Sequence, residues 1–204
     1  MTEKNRINKN PRTGTGDKGF SQILYDLARN KSKKVKKSNP ILLLQNRLEL
    51  FRNSIALYLI DYPENHLVED RAILNRLVTT EINNLCGQVY FELESSKLLV
   101  YKEFFSLVET RIQDITTELE SQKEFITCSS KRYILLDNIR VYIREIEHLF
   151  WVMIHNFSDQ EYTKVITTTM SFVNMLSDYF MQLNRLETVL QNEDVIYWET
   201  ENNN

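Results

Sequence analysis

From residue 40 to the end of the chain, apolar side chains return at spacings of three and four, the signature of helices with one buried face. Leu44, Leu48, Phe51, Ile55 and Leu59 form the first such stripe. Asn39 is a suitable cap for it and Pro40 suits the first helical position, while Asp61-Tyr62-Pro63 ends it. A second stripe, Leu74, Val78, Ile82, Leu85 and Val89, predicts a helix over residues 68–91. Leu99, Phe105, Val108, Ile112 and Ile115 predict a third over residues 96–122. Leu135, Ile139, Tyr142, Ile146, Leu149 and Met153 predict a fourth over residues 131–156. A fifth begins after Ser158, a capping residue with Glu161 three positions on, and carries Val165, Phe172, Leu176, Tyr179 and Leu183. The expected fold class is all-α, a five-helix bundle with short connections.

Glycine and proline sharpen this division. The prolines are Pro11, Pro40 and Pro63, so no ring interrupts a helix beyond residue 63. Gly14, Gly16 and Gly19 lie within six residues, and Gly87 stands alone in an apolar pattern. Backbone freedom is therefore concentrated near the N-terminus. The expected organisation is a disordered tail over residues 1–12, one helical domain over residues 13–198 and a short disordered tail over residues 199–204.

Charge changes the picture at that N-terminus. The 204 residues carry a net charge of only −3. Residues 1–37 nevertheless hold 11 Lys and Arg against 3 Asp and Glu, leaving an acidic remainder. A basic arm on an acidic body points to an anionic ligand at the arm. At 42% apolar residues the chain has the means to bury a core. Cys86 and Cys128 are the only cysteines, which gives neither a disulfide framework nor a zinc site and fits a reducing, cytoplasmic setting. No apolar run reaches the roughly 20 residues of a membrane span. The amphipathic stretch over residues 20–27, with its basic surroundings, leaves an organellar matrix as the alternative compartment.

Candidate chemistry gathers in three places. The run Thr13-Gly14-Thr15-Gly16-Asp17-Lys18-Gly19-Phe20-Ser21 can curl its N–H groups around an anion, with hydroxyls at Thr13, Thr15 and Ser21 and a cation at Lys18. Its spacing is not that of a Walker A loop, and a flexible polar tail has the same composition. Residues 31–37 hold five lysines, the last being Lys37. They read as a solvated linker or as a basic patch, and without interleaved aromatics they argue against stacking-type nucleic-acid binding. On the fourth helix Arg140, Arg144 and Glu147 share a face, so both guanidinium groups could reach one phosphate. A surface ladder with Glu145 and Glu147 would use the same spacing. His148 and His155 lie on that helix without a third ligand. On the fifth helix Asn174 and Asp178 stand four apart beside Ser177, either facing solvent or buried with the fourth-helix arginines as partners for Asp178.

In order along the chain, these pieces resemble the PduO-type ATP:cob(I)alamin adenosyltransferases. That family opens with Thr-x-Thr-Gly-Asp-x-Gly, matched from Thr13 to Gly19. Its basic stretch before Asp-Asp-Pro is similar to Val35-Lys36-Lys37-Ser38-Asn39-Pro40. Glu49 falls on the first acid of its Val-Asp-Glu-Leu-Asn run. Arg140, Arg144 and Glu147 fit its Arg-x-x-x-Arg-Arg-x-Glu-Arg motif, and Asn174 to Phe180 looks like its Asn-Arg-Leu-Ser-Asp-Tyr-Leu-Phe run. Phe125-Ile126 resembles the start of its Phe-Ile-Leu-Pro-Gly-Gly loop, and Val195 to Trp198 its Val-x-Trp ending. Phe20, Leu50, Arg52, Glu145, His148 and the run from Thr127 to Ser130 depart from the family pattern.

The resemblance implies transfer of the 5′-deoxyadenosyl group of ATP to cob(I)alamin, giving adenosylcobalamin and triphosphate. It implies ATP binding by Thr13, Thr15, Gly16, Asp17, Lys18, Gly19, Ser21, Lys37, Arg144, Glu147 and Asn174, with Glu147 as a candidate Mg²⁺ ligand. It implies that Phe125 displaces the lower cobalamin ligand, that Asp178 belongs to the corrinoid side, and that Glu49 pairs with Arg140 across a subunit boundary of a homotrimer. A cobalamin reductase or a B12-dependent enzyme is the implied partner. The alternatives are a non-catalytic ATP- or corrinoid-binding chaperone or sensor, and a basic-arm nucleic-acid binder.

Overall fold

A computed structural model describes residues 18–26, 31–64, 68–91, 101–119, 126–127, 129–156, 160–194 and 196–197. Five long helices form the body. They are α1 (Pro40–Asp61), α2 (Val68–Arg76 continuing through a π turn at Leu77–Glu81 into Ile82–Phe91), α3 (Tyr101–Glu118), α4 (Lys131–Asn156) and α5 (Gln160–Leu190). The all-α bundle read from the apolar spacing is the fold observed. The expected tails, the Ser158 cap and the first glycines of the N-terminal loop lie outside the described residues.

Local chemistry fixes the helix ends. Asn39 accepts from the Ile41 amide at 3.0 Å, and Pro40 follows it at a position whose N–H has no helical partner. The start of α4 is capped by Ser130, whose Oγ accepts from the Tyr133 amide at 3.0 Å and donates to Glu193 at 2.6 Å. Asn192 ends α5 with φ of 50°, while the amides of Asn192 and Glu193 donate to Val189 and Thr188, the paired bonds of a Schellman turn.

Two short sheets complete the fold. The stretch read as an amphipathic segment followed by a lysine linker is an antiparallel hairpin, β1 (Phe20–Asp26) with β2 (Lys31–Lys36). Strand alternation explains it: Val35 is buried while Lys34 and Lys36 on either side are exposed. The ammonium of Lys34 lies 4.9 Å from the centre of the Phe20 ring, so that aromatic serves the hairpin. A second sheet pairs β3 (Ile126–Thr127) with β4 (Ile196–Tyr197), tying the C-terminal segment to the approach to α4.

The core runs between α1, α4 and α5, with Phe51 and Phe180 meeting edge to face at 5.9 Å. Charged groups penetrate it. Asp70 of α2, fully buried, accepts from Arg111 Nη2 of α3 at 2.7 Å and from the Tyr179 hydroxyl of α5 at 2.9 Å. Burial and the Asp70 charge push the Tyr179 phenol well above its ordinary pKa, so it remains a donor. Between α4 and α5, Arg132 Nη1 meets Glu187 Oε2 at 2.7 Å and lies over the Tyr62 ring. In α2 the π turn brings Arg76 and the buried Glu81, five residues apart, together at 2.8 Å. Truncating one member of a buried ion pair leaves its partner uncompensated. Asp70→Ala is therefore expected to cost about 3–5 kcal/mol in denaturant unfolding. Tyr179→Phe, which keeps the Arg111 contact, should cost about 1 kcal/mol.

Candidate functional site

The register of the α4–α5 hairpin decides which candidate residues share a surface. Arg132 bonds to Glu187, and the Tyr133 carbonyl accepts from Asn184 Nδ2 at 3.4 Å. Both helices rise equally per residue, so counting from these contacts puts Arg144 level with Asn174 and Arg140 level with Asp178. Arg144, Asn174 and Asp178 are exposed, and Arg140 and Glu147 are half-buried. By helical phase Arg140, Arg144 and Glu147 sit at the edge of α4 nearest α5, and Asn174 and Ser177 at the edge of α5 nearest α4. Two guanidinium groups, a carboxylate and an amide thus share one outward surface.

The hairpin organises the second group. Gly19 has φ of 74°, a conformation that L side chains rarely adopt, and its carbonyl accepts from the Lys37 amide at 2.9 Å. That bond closes the open end of β1–β2 and brings Lys18 and Gly19 beside Lys37, with Ser21 paired to Val35 two steps along. Lys18 and Lys37 are exposed. The chain then passes through Asn39 into the first turn of α1, where the helix dipole adds partial positive charge. Thr13, Thr15, Gly16, Asp17 and Phe125 lie outside the described residues.

Several expectations about partners change. Asn174 and Asp178 face outward because they fall opposite the stripe of Val173, Leu176, Tyr179 and Leu183, so the buried alternative and the arginine–Asp178 pair are both set aside. Partial desolvation still raises the Asp178 carboxyl above its ordinary range. Arg140 Nε bonds to Asp137 at 2.9 Å within its own helix. Glu145 pairs with Arg47 of α1 at 3.3 Å and not with an α4 arginine. Glu49 receives the Gln45 side-chain amide at 3.3 Å on the side of α1 that faces α2. Its charge, after burial, helps push the Cys86 thiol of α2 up to about 11. Glu49 and Arg140 are thus turned to different neighbours within one protomer.

The sequence reading passed over Asp70, Arg111, Arg132 and Glu187. One signal was present: Arg111 stands at helical spacing between Val108 and Ile115, and Glu187 four residues after Leu183, both on apolar stripes. A charge on such a stripe needs a buried partner. Among the described residues no group of three or more His, Cys, Asp or Glu could hold a metal ion, so Glu147 is not part of such a cluster there. No described helix is long and apolar enough to cross a membrane.

Paired guanidinium groups and an amide on one helix-pair surface, with a basic glycine turn at the N-terminal hairpin, place the chain in a class of all-α bundles that carry clustered cations. Within that class the chain belongs to the cobalamin adenosyltransferase family, whose model matches residues 12–187. Sequence comparison with curated proteins finds no match. Three similar solved structures are variants of a PduO-type ATP:corrinoid adenosyltransferase from Lactobacillus reuteri. A phenylalanine-to-alanine variant complexed with cobalamin and ATP has 16% identity and a TM-score of 0.67, covering 92% of this chain and 98% of that one. An arginine-to-lysine variant complexed with ATP gives 16% and 0.67, with 92% and 99% covered. A phenylalanine-to-histidine variant complexed with cobalamin and ATP gives 16% and 0.67, with 93% and 96% covered.

The Cys86 environment has a measurable consequence. With its pKa near 11, the thiol is almost wholly protonated at pH 8. In a Cys128→Ser background, iodoacetamide should modify folded Cys86 far more slowly than free cysteine, with the rate climbing about tenfold per pH unit above pH 8. The folded pKa lies above the unfolded one, so the folded state holds its proton longer. The thiol's contribution to stability is therefore lost as pH rises from the ordinary thiol range towards about 11.

Proposed function

We propose that this protein transfers the 5′-deoxyadenosyl group of ATP to cob(I)alamin, releasing triphosphate. The observation that carries the reading is the common level of Arg144 and Asn174 on the outward α4–α5 surface, in a chain matched by the family model along most of its length. In this reaction the cobalt(I) electron pair attacks the C5′ carbon. The bond from C5′ to the triphosphate oxygen breaks, and its electrons leave with the triphosphate. Cobalt(I) is itself a strong nucleophile, so the protein's work is positioning and stabilising the departing charge.

The residues divide this work. Lys18, the Gly19 turn and Lys37 meet the triphosphate from the hairpin, joined by Ser21 of β1 and by Thr13, Thr15, Gly16 and Asp17. Arg144 meets it from α4, and Asn174 orients the nucleoside. Glu147 can share one Mg²⁺ with phosphate oxygens, the usual way a lone carboxylate is used by that ion. Phe125 and Asp178 lie on the corrinoid side. The reduced cobalamin has to come from a reductase.

The same reading places the sites between subunits of a homotrimer, and an exposed apolar surface supports it. Leu43, Leu50 and Leu57 of α1 and Ile134 and Val141 of α4 are exposed at seven-residue spacing on neighbouring helices. The ion pairs Arg47–Glu145 and Lys131–Asp61 align these helices so that Leu57 falls near Ile134 and Leu50 near Val141. A contiguous apolar surface of this kind marks an association site. The family resemblance pairs Arg140 with Glu49 of a second chain.

Mixing the protein with MgATP and chemically reduced cobalamin should yield the adenosylcobalamin absorption spectrum. Arg144→Ala should lower the rate at least about a hundredfold while the circular dichroism stays helical. Full activity in that variant would remove Arg144 from the site. ATP binding without adenosylcobalamin would favour the binding-only relative, a reading to which the acid at position 145 lends weight. Leu50→Glu with Val141→Glu should convert a sedimenting trimer into monomer.

A further inference from the structure

One row of side chains on α4 is used by this division of labour only at its first member. Arg144, His148, Trp151 and His155 follow at intervals of four, three and four residues, so they form a single ridge on the exposed face. Trp151 is 48% exposed, unusual for so large an aromatic side chain. The His155 ring stacks against it at 6.3 Å with planes 28° apart. The pair is a flat, solvent-facing platform of two nearly parallel rings. Seven residues of helix separate Arg144 from Trp151, roughly 10 Å along the axis. That is about the reach of a nucleoside triphosphate from its phosphates to its base.

We infer that Trp151, backed by His155, is the stacking platform for the purine base of the nucleotide whose phosphates Arg144 holds. The inference rests on the adenosyl-transfer reading and deepens it by naming a nucleobase-recognising residue. Three features select a base as the occupant. An indole face offers stacking that any purine can use. The imidazole behind it keeps the indole in place by a parallel contact, so little side-chain freedom is lost on binding. The guanidinium further along the row, together with this platform, suits a ligand that is anionic at one end and aromatic at the other.

The test uses the full chain with Trp198→Phe, so that Trp151 is the sole indole. Titration with MgATP should quench its emission, and titration with inorganic triphosphate, which lacks the base, should not. Trp151→Ala should weaken ATP binding about tenfold and leave triphosphate binding unchanged, whereas Trp151→Phe should restore most of the loss. Sedimentation of each variant shows whether the assembly is kept. If ATP binds with unaltered emission and Trp151→Ala keeps full affinity, the base lies elsewhere and the inference falls while adenosyl transfer stands. An equal loss for ATP and triphosphate would overturn it too, since Trp151 would then act through fold or assembly. Failure of both ligands to bind the parent protein would sink the adenosyl-transfer reading together with this one.

Discussion

The register between α4 and α5 is the constraint on which the candidate site depends. The helical part of the site is made of side chains projecting from two antiparallel helices. A slip of one helical turn would move Asn174 about 5 Å away from the level of Arg144. The Arg132–Glu187 pair resists such a slip better than apolar contacts alone, because its geometry is directional and both partners are largely buried. Leucine-rich faces can slide past one another with a modest change in packing. A charge pair displaced by a turn leaves two uncompensated ions in the core. The Asp70–Arg111–Tyr179 cluster does the same for α5 against α2 and α3, fixing it from the opposite side. The helix that carries Asn174 and Asp178 is thus clamped on two flanks.

Buried charge of this kind is weak evidence for net stability, since the cost of desolvation offsets much of the attraction. Its value here is uniqueness. Five amphipathic helices with similar apolar stripes can pack in more than one order. Each buried acid has its partner on a particular element: Asp70 finds Arg111 only when α2 lies against α3, and Glu187 finds Arg132 only when α4 lies against α5. The π turn follows the same logic within one helix. It brings Glu81 round to Arg76, whose guanidinium in turn lies 4.7 Å from the Phe104 ring of α3.

The helices were legible because their apolar stripes are long and regular, and because Asn39-Pro40 and Asp61-Tyr62-Pro63 punctuate the first of them with clear chemistry. The hairpin was not, because five lysines in seven residues mask the alternation that buries Val35, and because its other strand follows a glycine whose backbone angle no composition reveals. The outward position of Arg144, Asn174 and Asp178 could be read from helical phase, but their common level could not. That level depends on the contacts of Arg132 and Tyr133, and pairing between helices leaves no periodic trace in either one. The apolar stripes of α1 and α4 had a similar ambiguity. A leucine at position 50 reads the same in a sequence whether it faces the core or open surface.

The departures from the family pattern fall where the fold is tolerant. Glu145 stands where the family motif has an arginine, yet it is partly exposed and met by Arg47, so a guanidinium remains at that level of the bundle, now carried by α1. Among the described residues Arg140 is held by Asp137, a partly exposed pair three residues apart, and such pairs contribute about 0–1 kcal/mol. So weak a contact can be exchanged for a better acid brought by another chain with little loss to the protomer. The groups that fix the helices against each other, by contrast, are buried and mutually paired, and none can change without its partner. Divergence on the outer face with conservation of architecture needs no special mechanism under these conditions. A reaction whose nucleophile is supplied by its substrate asks the protein for placed cations and a placed base. Several arrangements of surface side chains on the same clamped helices can meet that demand.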